Sequence, residues 1–316
     1  MSVLGKALVT GGCGYVGSRL VPQLLAAGYA VRVVDTGWFG NHLSRADGLE
    51  VVIGDVRSMN LSDLDGVTAI IHLANIANDP AVELNPMLSW EVNVLGTQHV
   101  LDLASRSGVE HFMYASSGSV YGVNDEDRVT EDLPLVPIST YNKTKMVAER
   151  VCAGYSDVMS VHNIRPATVC GFSPRMRLDV SVNMLTMQAY LYDRVTVFGG
   201  IQTRPNIHID DLCAVYLHFL ANPWIPSGAY NAGFENMTIL AIAELIKKHC
   251  SCEIVVSESD DPRSYRQDSS RLLSTGFRPR RSVEQAICEM LEKWDQATLT
   301  DNELWHTVKR MKQLGL

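Results

Sequence analysis

Between residues 7 and 164, short apolar runs alternate with stretches whose apolar positions recur every three or four residues. The runs read as buried strands over residues 7–10, 31–35, 51–53, 69–72, 111–115 and 160–164. Each ends near small or polar residues, as strands of a covered parallel sheet do, and the alternation is that of repeated β-α-β units. Helices are expected over residues 16–27, stopping at Gly28, over 86–107, stopping at Gly108, and over 141–155. Beyond residue 164 the alternation loosens. Helical periodicity marks residues 180–192, 210–221, 238–249 and 282–294, with short strands at 195–198 and 253–256. The expected organisation is a nucleotide-binding domain over residues 1–165 and a smaller, mostly helical lobe over 166–316, with the chain free to cross back between them. The tail carries Leu304, Val308, Met311 and Leu314 near helical spacing, which fits a helix docked on the body or on a second subunit.

Charge narrows the partners. Lysine and arginine number 27 against 35 acidic residues, for a formal charge of -8. No basic run is dense enough to follow a nucleic-acid backbone, so nucleic acid is not an expected partner. No apolar stretch is long enough for a bilayer, and the chain runs into its first strand without a leader pattern, so no membrane association is expected. The 7 cysteines are scattered without metal-ligand spacing. The expectation is a reducing cytoplasm and no metal.

The first chemical signal is Gly11-Gly12-Cys13-Gly14-Tyr15-Val16-Gly17, placed where the first strand gives way to the first helix. Glycines at 11, 14 and 17 allow a tight turn, close approach of backbone to a pyrophosphate, and close packing of helix on sheet. Asp35 ends the second strand, where a carboxylate can accept both ribose hydroxyls of NAD and would repel the 2'-phosphate of NADP. Thr36-Gly37 brings no compensating arginine, so NAD is the expected cofactor. Asp55 and Val56, after the third strand, are expected beside the adenine. Leu73 and Ala74, after the fourth, are small enough for backbone to pass under a cofactor. His72 reads as a packed strand residue.

The second signal is Tyr141-Asn142-Lys143-Thr144-Lys145, with Ser116-Ser117 at the end of the fifth strand. Tyr141 and Lys145 lie one helical turn apart, a spacing expected to set the ammonium beside the phenol and favour phenolate. A serine hydroxyl from the strand end can bond the same substrate oxygen. Together they form an acid/base suited to proton transfer coupled to hydride transfer.

These motifs, with Asn93-Val94-Leu95-Gly96-Thr97, Ser116-Ser117-Gly118-Ser119-Val120-Tyr121-Gly122 and Arg204-Pro205-Asn206-Ile207-His208-Ile209-Asp210-Asp211, resemble those of the extended short-chain dehydrogenase/reductases. Within that group they are similar to the NAD-dependent epimerase/dehydratase family, which mostly modifies nucleotide sugars. The resemblance implies an α/β fold: a Rossmann-type doubly wound parallel sheet with a smaller, mostly helical C-terminal substrate lobe. It assigns Ser117, Tyr141 and Lys145 as catalytic. For the cofactor it implies Gly11, Gly14, Tyr15, Val16, Gly17, Asp35, Asp55, Val56, Leu73, Ala74, Asn93, Ser116, Tyr141 and Lys145, with Asn93 supporting both cofactor and active-site helix. For the substrate it implies Thr168, where relatives often have asparagine, Asn183 near the phosphates, and Arg204 and Arg263 as grips on the nucleotide diphosphate. It also implies a homodimer through the helices at 86–107 and 141–155.

Departures from the family set the expected reaction. Its dehydratases carry an acidic pair after the catalytic serine or threonine, and its decarboxylases a glutamate; here Gly118-Ser119 follow Ser117. The remaining expectation is a nucleotide-sugar epimerase, most simply at C4, working through a transient keto-sugar. The alternatives are a dehydrogenase or reductase on the same substrates and, more remotely, a non-catalytic NAD-sensing regulator.

Overall fold

The computed structural model describes residues 4–124, 126–258 and 264–316. The first half runs β1 (Lys6–Thr10), α1 (Tyr15–Ala26), β2 (Ala30–Asp35), β3 (Leu49–Ile53), β4 (Val67–His72), α2 (Asp79–Val82), α3 (Pro86–Trp90), α4 (Thr97–Ser107), β5 (His111–Ala115), α5 (Thr140–Ala153) and β6 (Ser160–Pro166). The second half runs β7 (Thr168–Cys170), α6 (Ser181–Tyr192), β8 (Arg194–Phe198), β9 (Thr203–His208), α7 (Ile209–Ala221), β10 (Gly228–Ala232), β11 (Glu235–Thr238), α8 (Ile239–His249), β12 (Glu253–Ser257), α9 (Ser270–Ser274), α10 (Val283–Asp295) and α11 (Thr307–Gln313).

The main sheet has the order β10-β6-β5-β4-β1-β2-β3, with every neighbouring pair parallel. This is the doubly wound, Rossmann-type arrangement. Its inner strands are buried on both faces: Ala7, Leu8 and Val9 of β1 and Ile70 and Ile71 of β4 are fully enclosed. Strand order reverses between β1 and β4, which opens a crevice at their C-terminal ends. One apolar core lies on the side of α1 and α7, the other on the side of α4 and α5. The chain crosses back to supply α7 and β10. Arg19 of α1 binds Asp210 of α7 through two nitrogens, at 2.7 and 3.0 Å.

Two expectations need correction. The helix over residues 86–107 is not uniform, because a wider π turn, Glu91–Gly96, separates α3 from α4. The turn aims Asn93 inward, where its side chain bonds both backbone groups of Ile76 and the Thr144 hydroxyl, while Thr97 takes its carbonyl. Such turns re-aim side chains at the cost of regular pairing. The second half also contains more sheet than its periodicity shows, since β7, β9 and β11 form a three-stranded sheet. In β9 the buried residues include Thr203, Asn206 and His208, so no apolar run announces it. The other two expected strands are present as β8 and β12, paired in parallel.

The tail resolves in favour of the body: Met311 of α11 is buried against the core that includes Val56, Ala81 and Val82. The seven cysteines are all free thiols. Among the described residues no helix is long and apolar enough to cross a membrane, and no cluster of side chains could hold a metal ion.

Candidate active site

A cavity of about 410 Å3 opens at the reversal point, between the ends of the main strands and the second half of the chain. Gly11 and Gly17 shape its floor. Gly11 has φ +70°, and a Cβ there would meet the Ala74 nitrogen at 2.6 Å. A Cβ on Gly17 would meet the Gly12 Cα at 2.5 Å, so helix and loop touch only because neither side chain exists. Gly14 caps α1 without a side chain, leaving the positive helix end open towards the cavity. Tyr15, Val16, Val56, Leu73 and Ala74 also line the space.

Asp35 lines it too. Its carboxylate accepts from the Cys13 and Gly37 nitrogens at 3.0 and 2.8 Å, while burial raises its pKa. Asp55 lines the same end, its carboxylate held by Arg57 at 2.8 Å and its pKa lowered by that bond. These residues fit a dinucleotide: an anion cradle at the helix end, a ribose acceptor beyond it, and an apolar slot between. His72 lies beneath as a neutral packing group, bonded to Thr10 and Thr97 and driven down to about 3 by burial.

At the other end stand Ser116, Ser117, Tyr141 and Lys145. The Ser117 hydroxyl is near enough to the Tyr141 phenol to lower its pKa. Ser117 continues to Ser119 at 2.7 Å, and Ser119 donates to the Asn142 amide oxygen at 2.6 Å. Asn142 is itself buried on α5. Ser116 turns away and donates to Glu149, which also holds Arg165 at 2.7 Å, locking the ends of β5 and β6 under the site. Asn93 meets no cavity surface; it braces α5 through Thr144.

The expected effect of Lys145 on Tyr141 is not what the geometry shows. Lys145 Nζ donates to the Ala115 carbonyl and sits 5.9 Å from the centre of the Tyr141 ring. Burial pushes the Tyr141 phenol up to about 12, and the field that pulls it back most is that of Arg177, followed by the Ser117 hydroxyl. Burial pulls the Lys145 ammonium itself down to about 7. An ordinary lysine titrates near 10.5, so between the two values the unfolded chain binds a proton that the folded chain does not. In the NAD-free protein Lys145→Met is therefore more stable than the parent at pH 6.5, and this margin closes as pH rises from about 7 towards 10.5. Thermal melts of both proteins across that range check the sign.

The substrate-side expectations divide. Thr168 lines the cavity. Asn183 does not: it is fully buried, accepting from Gly171 N and donating to the Tyr15 hydroxyl and the Arg177 carbonyl, which makes it a brace. Arg204 lies half-buried on β9, outside the cavity lining. Arg263 falls outside the described residues.

Arg175, Arg177, Asp179 and Asp79 also line the cavity and were not anticipated. Arg177 Nε donates to Asp179 at 2.9 Å, and its Nη2 is buried without a partner. Burial works against the Asp179 carboxylate, but Arg177 brings it down to about 2. The available signal was the Arg175-Met176-Arg177 alternation after Gly171, which sets two cations on one side of an extended segment. Tyr265 also lines the cavity, and its hydroxyl lies against Gly118, where a Cβ would meet it at 3.1 Å.

The sequence model of the NAD dependent epimerase/dehydratase family matches residues 7–233. UDP-glucuronic acid decarboxylase 1 of Danio rerio is 30% identical over 306 residues, covering 91% of this chain and 72% of that protein. UDP-glucose 4-epimerase 4 of Oryza sativa subsp. japonica is 34% identical over 280 residues, covering 76% of this chain and 75% of the relative. Among solved structures, MoeE5 in complex with UDP-glucuronic acid and NAD superposes with a TM-score of 0.84 at 27% identity, covering 93% of this chain and 100% of that one.

Proposed function

The chain belongs to the NAD dependent epimerase/dehydratase family, and from that premise we propose that it inverts one carbinol carbon of a nucleotide sugar, most simply C4, through a transient keto-sugar. It is an NAD-dependent enzyme of the extended short-chain dehydrogenase type that acts on sugar nucleotides. Bound NAD supplies a hydride acceptor at the sugar carbon and, in its reduced form, the donor that restores it. The chain supplies the proton chemistry. Tyr141 takes the hydroxyl proton as the ketone forms and returns it after the sugar has presented its other face. Ser117 holds the same oxygen, and the Ser119–Asn142 chain fixes the Ser117 hydroxyl. Arg177 offsets part of the burial that disfavours phenolate.

The observation that carries this reading is the neutral pair Gly118-Ser119 beside Ser117, in a cavity whose acids are already held. Asp35 is bonded to backbone nitrogens, Asp55 to Arg57, Asp179 to Arg177, and Asp79 accepts from Ser139. Elimination needs a free acid at the sugar's C5 and C6; simple inversion needs only Tyr141. The test is incubation with UDP-, GDP-, dTDP- and CDP-sugars deuterated at the reacting carbon. Inversion retains the label, admits no solvent hydrogen at that carbon and accumulates no NADH. Stoichiometric NADH would make the enzyme a dehydrogenase, and released carbon dioxide or a loss of water would make it a decarboxylase or dehydratase.

Two further outcomes follow from the same reading. NAD binds more tightly than NADP because Asp35 presents a carboxylate where the ribose lies, and Asp35→Ala narrows the ratio of the two dissociation constants. The chain also forms a homodimer through the face of α3 to α5, where Met87 and Leu95 remain exposed at 70% and 60%. Light scattering then gives the mass of two chains, and Leu95→Arg gives the mass of one.

A further inference from the structure

Ser117 stands in a short arch of chain with both feet on one buried ion pair. The arch leaves β5, passes through Ser117 and makes a single tight turn, Gly118–Tyr121, in which Val120 N donates to Ser117 O at 3.3 Å. At the first foot Ser116 Oγ donates to Glu149 Oε1. At the second, the Tyr121 hydroxyl accepts from Arg165 Nη1 at 2.7 Å and donates to Asn231 Oδ1 at 2.8 Å. Glu149 and Arg165 meet between the feet as a fork, Nε to Oε1 at 2.9 Å and Nη2 to Oε2 at 2.7 Å. Ser116, Tyr121, Glu149 and Arg165 are each 5% exposed or less.

The crown of the arch is packed closely on its core side. A Cβ on Gly118 would meet Pro166 O and Gln267 Nε2, each at 3.2 Å, and Gln267 Nε2 itself donates to Arg165 O at 2.7 Å. Glu149 lies on α5, one turn beyond Lys145 and about two beyond Tyr141, so the pair ties the arch to the helix that carries the proton carrier. An ion pair taken out of water adds little stability over apolar residues of the same size, because desolvation offsets the attraction. What it adds is direction. A guanidinium meets a carboxylate at two fixed points, and here its remaining nitrogen carries the Tyr121 hydroxyl. Neither member of the pair lines the cavity, so neither touches substrate or cofactor.

We propose that Glu149 and Arg165 are positioning residues: the pair holds both ends of the arch over residues 116–121 against α5 and so keeps the Ser117 hydroxyl in register with Tyr141 for proton transfer. The proposal rests on the reading of Ser117 and Tyr141 as the groups at the reacting oxygen, and it is independent of which sugar carbon reacts. Lys145 has a separate hold on the chain through Ala115 O, so disturbing the pair displaces the serine before the lysine.

Arg165→Lys keeps the charge and loses the fork, since one ammonium cannot span both Glu149 oxygens and Tyr121. Turnover falls roughly tenfold, the scale of a small misplacement at the reacting centre, while KM for the nucleotide sugar and the dissociation constant of NAD stay within about twofold of the parent's. A cycle with Ser117→Ala separates positioning from general loosening: in that background Arg165→Lys costs nothing further, because the hydroxyl it placed is gone. Amide exchange read by mass spectrometry needs no substrate. The amides of residues 116–122 exchange faster in Arg165→Lys, and those of α5 do not. Where Arg165→Lys does not fold, Glu149→Leu with Arg165→Met removes both charges together and keeps the fold, checked by a thermal melt. Parent-like kcat, whatever the KM, overturns the proposal, as do costs of Arg165→Lys and Ser117→Ala that simply add, or an arch whose exchange is unchanged. A parent protein that turns over no nucleotide sugar, with an arch that loosens as described, overturns the reaction proposed above and leaves the hold on the arch standing.

Discussion

Tyr141→Phe lowers turnover by roughly two to four orders of magnitude, the range for loss of a general acid/base, while NAD remains bound. The phenol and Ser117 meet at one point of the cavity wall, and the Ser117 hydroxyl is already engaged with Ser119. No other lining group is placed with Ser117 to exchange a proton with the same substrate oxygen. Phenylalanine keeps the ring and its packing on α5, so the fold and the glycine cradle are untouched. Ser117→Ala costs less, because it removes a hydrogen bond to the oxygen and leaves the proton carrier. Single-turnover kinetics with bound NAD separate the chemical step from binding. Full activity in Tyr141→Phe would overturn the mechanism.

The parts of this site that were legible in the sequence are those where local backbone geometry dictates residue type. The glycine cradle needs three residues without side chains at set intervals, and Asp35 follows from the length of one helix and one strand. Tyr141 and Lys145 are fixed by a helical turn, and the inner strands β1, β4 and β5 of the main sheet are apolar runs because both of their faces are buried. The strands that were missed, β7, β9, β10 and β11, carry buried polar groups whose partners are far away in sequence: Asn206 bonds Glu235 O, and Asn231 bonds Val129 O and Asp268 O. No period of two survives such a pattern. Asn183 illustrates the converse error. Its position suggests a phosphate contact, yet its amide is consumed in tying Tyr15 to the Arg177 segment. The residues that close the cavity, Arg175, Arg177, Thr307 and Met311, come from segments with no local reason to be near Asp35 or Tyr141, and only the tertiary fold brings them there.

Arg177→Met is expected to have the next largest effect, and it separates the two cations beside Tyr141. With Lys145 Nζ turned to the Ala115 carbonyl, the charge that most favours the Tyr141 phenolate belongs to Arg177. A nearby positive charge stabilises the deprotonated form, so removing it raises the phenol's pKa further above its already elevated value. If phenolate is the working base, activity rises with pH through that pKa, and the variant's rising limb moves upward by about one pH unit. At any pH below the limb, turnover falls by about tenfold for each unit of that displacement. The substitution also leaves Asp179 buried without its cation, which destabilises the fold by a separate route. Arg177→Met with Asp179→Asn removes that second effect, since the amide oxygen can still accept from Thr307 N. The double variant should regain melting temperature while keeping the displaced limb. A limb that returns to its original place as stability is restored would show that Arg177 acts on Tyr141 only through the fold, and an unmoved limb in both variants would return the electrostatic role to Lys145.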